Sequence, residues 1–195
     1  MDDNYYERML YSRTTRGFSL AELLLALLIL GSIATFTIPK VITASNNSKK
    51  HAIIKESIAT LNEVTYLGVI TRELQPNTVD SYYTSKINAV KACPNDAVAE
   101  GCWLASVPSA LASDRTEPGV VMHNGSWIAG FESFSDNIEH ITMDWNGATG
   151  PNLEGDDQIC LRVVFGPNAG DRPGTVVAKP DNPTSVSMFK TIFSQ

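Results

Sequence analysis

The sequence has few cysteines and histidines, two residue types on which many metal and catalytic sites depend. It has three cysteines and three scattered histidines in 195 residues and no C-x-x-C pair, so nothing favours a zinc centre. Neither a phosphate-binding G-x-x-x-x-G-K-[ST] motif nor a G-x-S-x-G nucleophile motif occurs. We therefore predict that the protein is not an enzyme.

Positive charge is also scarce. The 15 Lys and Arg residues are outnumbered by 21 Asp and Glu, which gives a net charge of −6. Beyond Gln75 the imbalance is larger, with seven basic and fourteen acidic side chains. Such a segment repels phosphate backbones, so we predict no nucleic-acid partner. The mean hydropathy is close to zero, which excludes a polytopic membrane protein.

One long apolar run stands near the N-terminus. Residues 18–38, FSLAELLLALLILGSIATFTI, contain a single ionisable side chain, Glu22. As a helix this run is roughly 32 Å long, the thickness of a bilayer's hydrocarbon core. Arg13 and Arg16 precede it, so the positive-inside rule predicts a cytoplasmic N-terminus and an exported remainder. On this evidence alone, the simplest interpretation is a single-pass signal anchor.

The helical pattern continues beyond the apolar run. Apolar residues recur every three or four positions from Ile54 to Ile70, and Gln75-Pro76 is a natural helix stop. We predict one helix over residues 18–75, loosened near Gly31 and Pro39. Its apolar half, 18–39, spans the membrane, and its amphipathic half, 40–75, packs on a domain.

Residues 76–195 are predicted to form the exported globular domain, with a short helix at 81–92 and an antiparallel β-sheet. Asn124-Gly125 favours a type I′ hairpin turn between two strands. The fold class is therefore α+β, a long helix followed by a sheet. The predicted strands and the closing apolar segment are 120–123, 126–129, 138–145, 159–165, 175–178 and 186–193.

The junction before the apolar run carries the most specific pattern. Residues 16–22 read Arg-Gly-Phe-Ser-Leu-Ala-Glu. They resemble the class III signal of the type IV pilin and pseudopilin superfamily, in which a basic leader ends in Gly, Phe is the first mature residue and Glu follows four positions later. Gly31 and Pro39 also fall where family members often carry these residues. The resemblance covers residues 13 to about 42 closely.

The resemblance implies processing and assembly. It implies a leader at residues 1–17 that is cleaved after Gly17, N-methylation of the new amine on Phe18, and pairing of Glu22 with a neighbouring subunit's N-terminus. The implied partners are a prepilin peptidase and N-methyltransferase, other pilin or pseudopilin subunits, an inner-membrane assembly platform, and membrane lipid before assembly. The precursor would lie in the cytoplasmic membrane and the product in a periplasmic or extracellular filament. Met9 is an alternative start, because it gives a leader without acidic residues.

Two further features belong to the exported domain. A bridge between Cys93 and Cys102 is favoured, because both cysteines bracket a short loop in an oxidising compartment, and a bridge from either to Cys160 is the alternative.

Calcium is the one cofactor that the sequence suggests. The loop before the predicted strand at 159 is rich in oxygen ligands, and the competing interpretation is a turn stabilised by Asn, Asp and Gly. The candidate calcium ligands are Asp144, Asn146, Asn152, Asp156 and Asp157.

The sequence leaves the function divided between two main classes, with a membrane-tethered enzyme as a third alternative. The first is a filament subunit, either a pilin or a secretion pseudopilin. The second is a membrane-anchored extracytoplasmic binding module, with or without calcium, that does not form filaments.

Overall fold

The structure is a computed structural model of the chain and describes residues 17–108, 116–131, 138–166 and 172–194. The predicted leader, apart from Gly17, and the alternative start at Met9 lie outside these residues. The chain divides into two compact units, Met1–Asn46 and Asn47–Gln195. Helix α1, Leu20–Thr71, belongs in part to each unit.

The described part of the first unit is the apolar portion of α1. This helix is long and apolar enough to cross a membrane, as the sequence predicts. The helix continues through Gly31 and Pro39, so the predicted loosening there is not observed. Hydroxyl groups inside the segment donate to backbone carbonyls three or four residues earlier, which satisfies them without water. These residues are Ser32, Thr35, Thr37 and Thr43.

In the second unit, α1 buries one face. Ile54, Ile58 and Leu61 are fully or almost fully buried, which confirms the first part of the predicted apolar stripe. The end of the stripe differs, because Leu67 and Ile70 are exposed and Gly68 faces the domain instead. The Tyr82 ring packs so closely on Gly68 that a side chain there has no room.

The predicted helix at 81–92 is wrong in extent. Helix α2 covers Val79–Lys86, and strand β1 follows at Ala89–Cys93. Pairing with β2, Gly119–Met122, decides the conformation of these residues, because Cys93 lies opposite Gly119 and Ala89 opposite Met122. The spacing of apolar residues within 81–92 does not show that β2 will pair with them.

Four further strands follow, β3 Trp127–Ala129, β4 Ile138–Asp144, β5 Gln158–Val164 and β6 Thr175–Ala178. The sheet is an antiparallel meander with the strand order β1-β2-β3-β4-β5-β6. This arrangement confirms the predicted α+β fold. At the β6 edge, the backbone N–H of Val176 donates to Asn62 Oδ1 on α1 at 2.7 Å.

The predicted type I′ turn between β2 and β3 is wrong. Only Gly125 in this turn has a left-handed φ, 88°, whereas a type I′ turn needs positive φ at both central residues. The Gly125 N–H donates to the Met122 carbonyl, and the Met122 N–H to the Ser126 carbonyl. The hairpin therefore has a three-residue loop that ends in a left-handed glycine.

The closing segment is helix α3, Pro183–Phe193. Asn182 caps its N-terminus by accepting a hydrogen bond from the Ser185 N–H, and Pro183 occupies the first turn. Met188 and Ile192 of α3 join the main core with residues from α1, α2 and the sheet.

A smaller cluster of buried residues contains the disulfide Cys93–Cys102 and Trp103. This disulfide confirms the favoured pairing. Cys160 lies buried in β5 outside the disulfide.

Close packing at Gly68 predicts a selective loss of stability. In Gly68→Ala, the added Cβ would lie 2.5 Å from Tyr82 Cζ and 2.7 Å from Leu74 Cβ. We expect the free energy of unfolding to fall by about 1–3 kcal/mol, as in other overpacked cores. Denaturant unfolding of the full chain in detergent measures this. Gly31→Ala is the control, because nothing lies within 4 Å of its added Cβ, and equal stability of the two variants would contradict the packing argument.

Candidate functional site

Helix α1 begins in a reciprocal pair of hydrogen bonds between Ser19 and Glu22. Glu22 Oε2 accepts from the Ser19 N–H at 2.8 Å and from the Ser19 hydroxyl at 2.9 Å. The Glu22 N–H in turn donates to Ser19 Oγ at 3.2 Å. This is a capping box, in which a Ser at the N-cap and a Glu three residues later satisfy each other's backbone donors.

The capping box gives Glu22 a local role that the sequence analysis missed. The S-x-x-E spacing is visible in the sequence and is the known signal for such a cap. A plain membrane anchor would therefore also have a use for Glu22. Only Oε2 takes part, and within the described residues Glu22 Oε1 accepts no hydrogen bond. One carboxylate oxygen of Glu22 is thus left without a donor among the described residues.

The apolar side chains around this cap are exposed. Phe18 is 85% exposed, and every large apolar side chain from Leu20 to Ile42 is at least 50% exposed. An apolar surface of this length is stable only against lipid or against other protein. Gly17 and Phe18, where cleavage and methylation are predicted, are likewise exposed, and those two modifications stay predictions.

The second candidate site is the loop between β4 and β5. Asp144, the last residue of β4, is fully buried and lies opposite Gln158 of β5. Its carboxylate accepts from the Asn146 N–H at 3.1 Å and from Gln158 Nε2 at 3.2 Å. With its amide nitrogen turned inward, Asn152 donates to Asp144 Oδ2 at 3.3 Å and to the Gly147 carbonyl at 3.1 Å.

Burial changes the acidity of this carboxyl group. Loss of hydration is the largest cause, and the nearby Asp157 carboxylate adds to it, so that the pKa of Asp144 rises from 3.8 to about 7. The hydrogen bond from Gln158 opposes the shift. A cation beside Asp144 would favour the charged form and lower this pKa again.

The other predicted calcium ligands are placed differently. Asp157 is buried, and its two carboxylate oxygens accept from the backbone N–H groups of Asn152 and Leu153 at 2.5 and 2.6 Å. The backbone carbonyl of Asp156 accepts from Lys50 Nζ and from Trp145 Nε1. The structure therefore brings Asp144 and Asn152 into contact but uses both oxygens of Asp157 in the turn.

The turn interpretation explains much of this loop. Gly147, Asn152 and Gly155 all have left-handed φ values, which Asn and Gly adopt most readily. In the described ranges, no three His, Cys, Asp or Glu side chains are grouped so that they could hold a metal ion. One atom is unexplained, since Asn146 Oδ1 is buried and has no hydrogen-bond partner. Calcium binding by the five residues stays a prediction.

No family model, no curated protein and no solved structure matches this chain. What the structure adds to the resemblance at residues 13 to about 42 is the layout: a long N-terminal apolar helix followed by an antiparallel sheet. This layout is compatible with pilin-like proteins.

The raised pKa of Asp144 predicts a pH-dependent stability. Because the folded state holds a proton up to about pH 7 that the unfolded state loses near pH 4, the free energy of unfolding falls as pH rises through this interval. The slope from this group reaches at most about 1.4 kcal/mol per pH unit. Thermal unfolding from pH 4 to 8, without divalent cations, compares the native chain with Asp144→Asn. A native curve as flat as that of the variant would overturn the assignment.

Proposed function

We propose that the protein is a prepilin-like structural subunit that is cleaved after Gly17, N-methylated on Phe18 and assembled into a type IV pilus or pseudopilus filament. The observation that carries this proposal is the apolar segment of α1. It is exposed from Phe18 to Ile42, and it begins directly after a Gly-Phe junction of the prepilin pattern.

The chemistry of this segment fits two successive apolar surroundings. Lipid covers the helix before assembly, and the helices of other subunits replace the lipid afterwards. The hydroxyl groups of the segment bond to its own backbone, so neither environment leaves them unpaired. Between residues 18 and 38 Glu22 is the one ionisable group, and a charged side chain inside a membrane costs roughly 2.5–3.5 kcal/mol without a partner.

Glu22 Oε1 supplies the contact that assembly requires. Cleavage after Gly17 creates an α-amino group on Phe18, and in the proposed filament this cation lies beside Glu22 of a neighbouring subunit. The capping bonds to Oε2 hold the carboxylate in place, which lowers the entropic cost of that pairing. Pairing between different residues on successive copies is a heterologous contact, and such contacts build helical filaments.

The remaining parts of the proposal follow from this role. The partners are a prepilin peptidase and N-methyltransferase, an inner-membrane assembly platform and other pilin or pseudopilin subunits. The precursor lies in the cytoplasmic membrane, and the assembled subunit is periplasmic or extracellular.

The second candidate function is a membrane-anchored extracytoplasmic module that binds calcium. It is favoured by the buried, unpartnered Asn146 Oδ1 beside the buried Asp144, since a cation takes both kinds of oxygen as ligands. The N-terminus of the mature protein separates the two functions. Sequencing that finds methylated Phe18 supports the filament subunit, and an intact leader in cells that contain the peptidase supports the anchored module.

Two variants separate the charge of Glu22 from its capping role. Glu22→Gln keeps a side chain that can cap the helix but removes the charge, so we expect normal cleavage and loss of filaments. Ser19→Ala removes the reciprocal cap, which costs about 1 kcal/mol at the helix start, but keeps the charge, so filaments should persist. Electron microscopy of sheared filaments and N-terminal sequencing measure the two steps. Normal filaments from Glu22→Gln would contradict the proposed pairing.

Calcium binding is tested by calorimetric titration of the full chain in detergent. The expected result is a calcium-dependent heat and a rise in the unfolding temperature, both absent in Asp144→Asn. A ligand present at one hundred times its Kd stabilises the folded state by about 2.7 kcal/mol, which is easily measured. Asp181→Asn removes an exposed acid elsewhere in the domain and serves as the control. No heat in the native chain would eliminate this site.

A further inference from the structure

The charged side chains of α1 are segregated along the helix. Between Glu22 and Glu56 the helix has no acidic residue. The first two charged residues from that point on, Glu56 and Glu63, are both acidic and lie in the part of the helix that packs against the domain. None of the basic residues has an opposite charge three or four positions away, which is the spacing at which charges on one helix pair. The basic residues before Glu56 are Lys40, Lys49, Lys50, His51 and Lys55.

The second unit gives some of these charges a partner within the chain. Lys50 donates to the Asp156 carbonyl, and Lys55 Nζ lies 6.0 Å from the centre of the Phe193 ring. Glu56 accepts from Asn124 Nδ2 at 3.2 Å. Lys49 and Glu63 are different, because both are exposed and the side chain of neither makes a hydrogen bond or ion pair with a described residue.

Lys49, Glu56 and Glu63 form one line along the exposed side of α1, which we term the charged stripe. They are spaced by seven residues, so successive members are rotated by only about 20° and separated by roughly 10 Å. All three are exposed, whereas Ile54, Ile58 and Leu61 on the other side of the helix are buried in the core. The stripe therefore stays accessible in the folded domain.

We propose that the charged stripe docks a second copy of this chain, parallel and displaced along the helix, so that Lys49 of one copy contacts Glu63 of the other. This inference rests on the proposed filament function and names the contact that would set its axial spacing. With no displacement, Lys49 meets Lys49 and Glu63 meets Glu63, which is repulsive. A seven-residue displacement pairs Lys49 with Glu56 but sets Glu56 against Glu63. A fourteen-residue displacement, roughly 21 Å, pairs Lys49 with Glu63 and opposes no like charges of the stripe.

The charge pattern favours a second copy over a membrane surface. An anionic lipid surface would attract Lys49 but repel Glu56 and Glu63 on the same stripe. A displaced copy of the same helix carries both signs in the same order, so it matches the stripe at each end. Because residue 49 meets residue 63 and not itself, the contact is heterologous and repeats from copy to copy.

Charge reversal in the full-length chain tests the pairing. Lys49→Glu alone and Glu63→Lys alone should each reduce the sheared filament yield by roughly fivefold at low salt, with a smaller effect at high salt. The double variant, which restores opposite charges, should recover most of the yield. Lys190→Glu makes the same charge change on the exposed side of α3 and should leave the yield unchanged. Loss of filaments in Lys49→Glu without recovery in the double variant would overturn the pairing, and a preference for phosphatidylglycerol over phosphatidylcholine vesicles that the native chain shows and Lys49→Glu lacks would then identify a lipid contact.

Cross-linking reports the contact even where filaments do not form. Full-length Lys49→Cys and Glu63→Cys copies with distinguishable tags are expressed together in cells with the processing machinery and treated with a short bis-maleimide. Cross-linked heterodimers that exceed the homodimers of either variant support the docking. If these heterodimers form while the native chain makes no filaments, the filament function fails and the docking stands. If the native chain makes filaments and only homodimers or no cross-links appear, the docking fails and the filament function stands.

Discussion

Helix α1 has to be stable both where its apolar side chains are exposed on every side and where one face packs against the domain. This requirement determines much of the structure. Residues 20–42 of α1 present apolar side chains in every direction, whereas Ile54, Ile58 and Leu61 bury only one side against the domain. A helix meets both conditions because its backbone hydrogen bonds are internal. The hydroxyl groups within the apolar part bond to that same backbone. The helix therefore continues without a break from the segment whose apolar side chains are exposed on every side to the segment that packs against the domain.

Glu22 connects this helix to the proposed function in two ways. Through Oε2 it completes the cap with Ser19, and through Oε1 it offers an acceptor at the edge of an otherwise apolar segment. Its position in the first turn also places the negative charge at the helix end that favours it. In the proposed filament, the residue that stabilises the helix start would also make the subunit contact. The cap explains how Glu22 is tolerated at the start of an apolar helix.

The sequence predicts the parts of the fold that depend on local pattern. The apolar run, the buried face at Ile54 to Leu61, the antiparallel strands and the Cys93–Cys102 loop all follow from spacing within short segments. Two of the failures come from tertiary packing. Residues 89–92 became a strand because β2 lies beside them, and Ile70 stayed exposed because Tyr82 packs on Gly68.

The same limit applies to the candidate sites. The Asp and Asn residues at 144–157 were visible in the sequence, but their hydrogen bonds depend on how β4 and β5 register, with Asp144 opposite Gln158. The sequence therefore suggested ligands, while the structure shows that Asp157 holds two backbone amides and Asp144 is buried. Sequence composition does not distinguish a carboxylate that binds a cation from one that stabilises a turn.

The bond from Val176 to Asn62 has a consequence for how copies of the chain tolerate crowding. An edge strand with free N–H groups is a template on which another extended chain can add and begin aggregation. At β6 one such group is already occupied by a side chain of α1. At the opposite edge, β1 is short, irregular between Ala89 and Lys91, and charged at Lys91, all of which discourage strand addition. Both edges of the sheet thereby discourage strand addition and amyloid-like growth between copies of the chain.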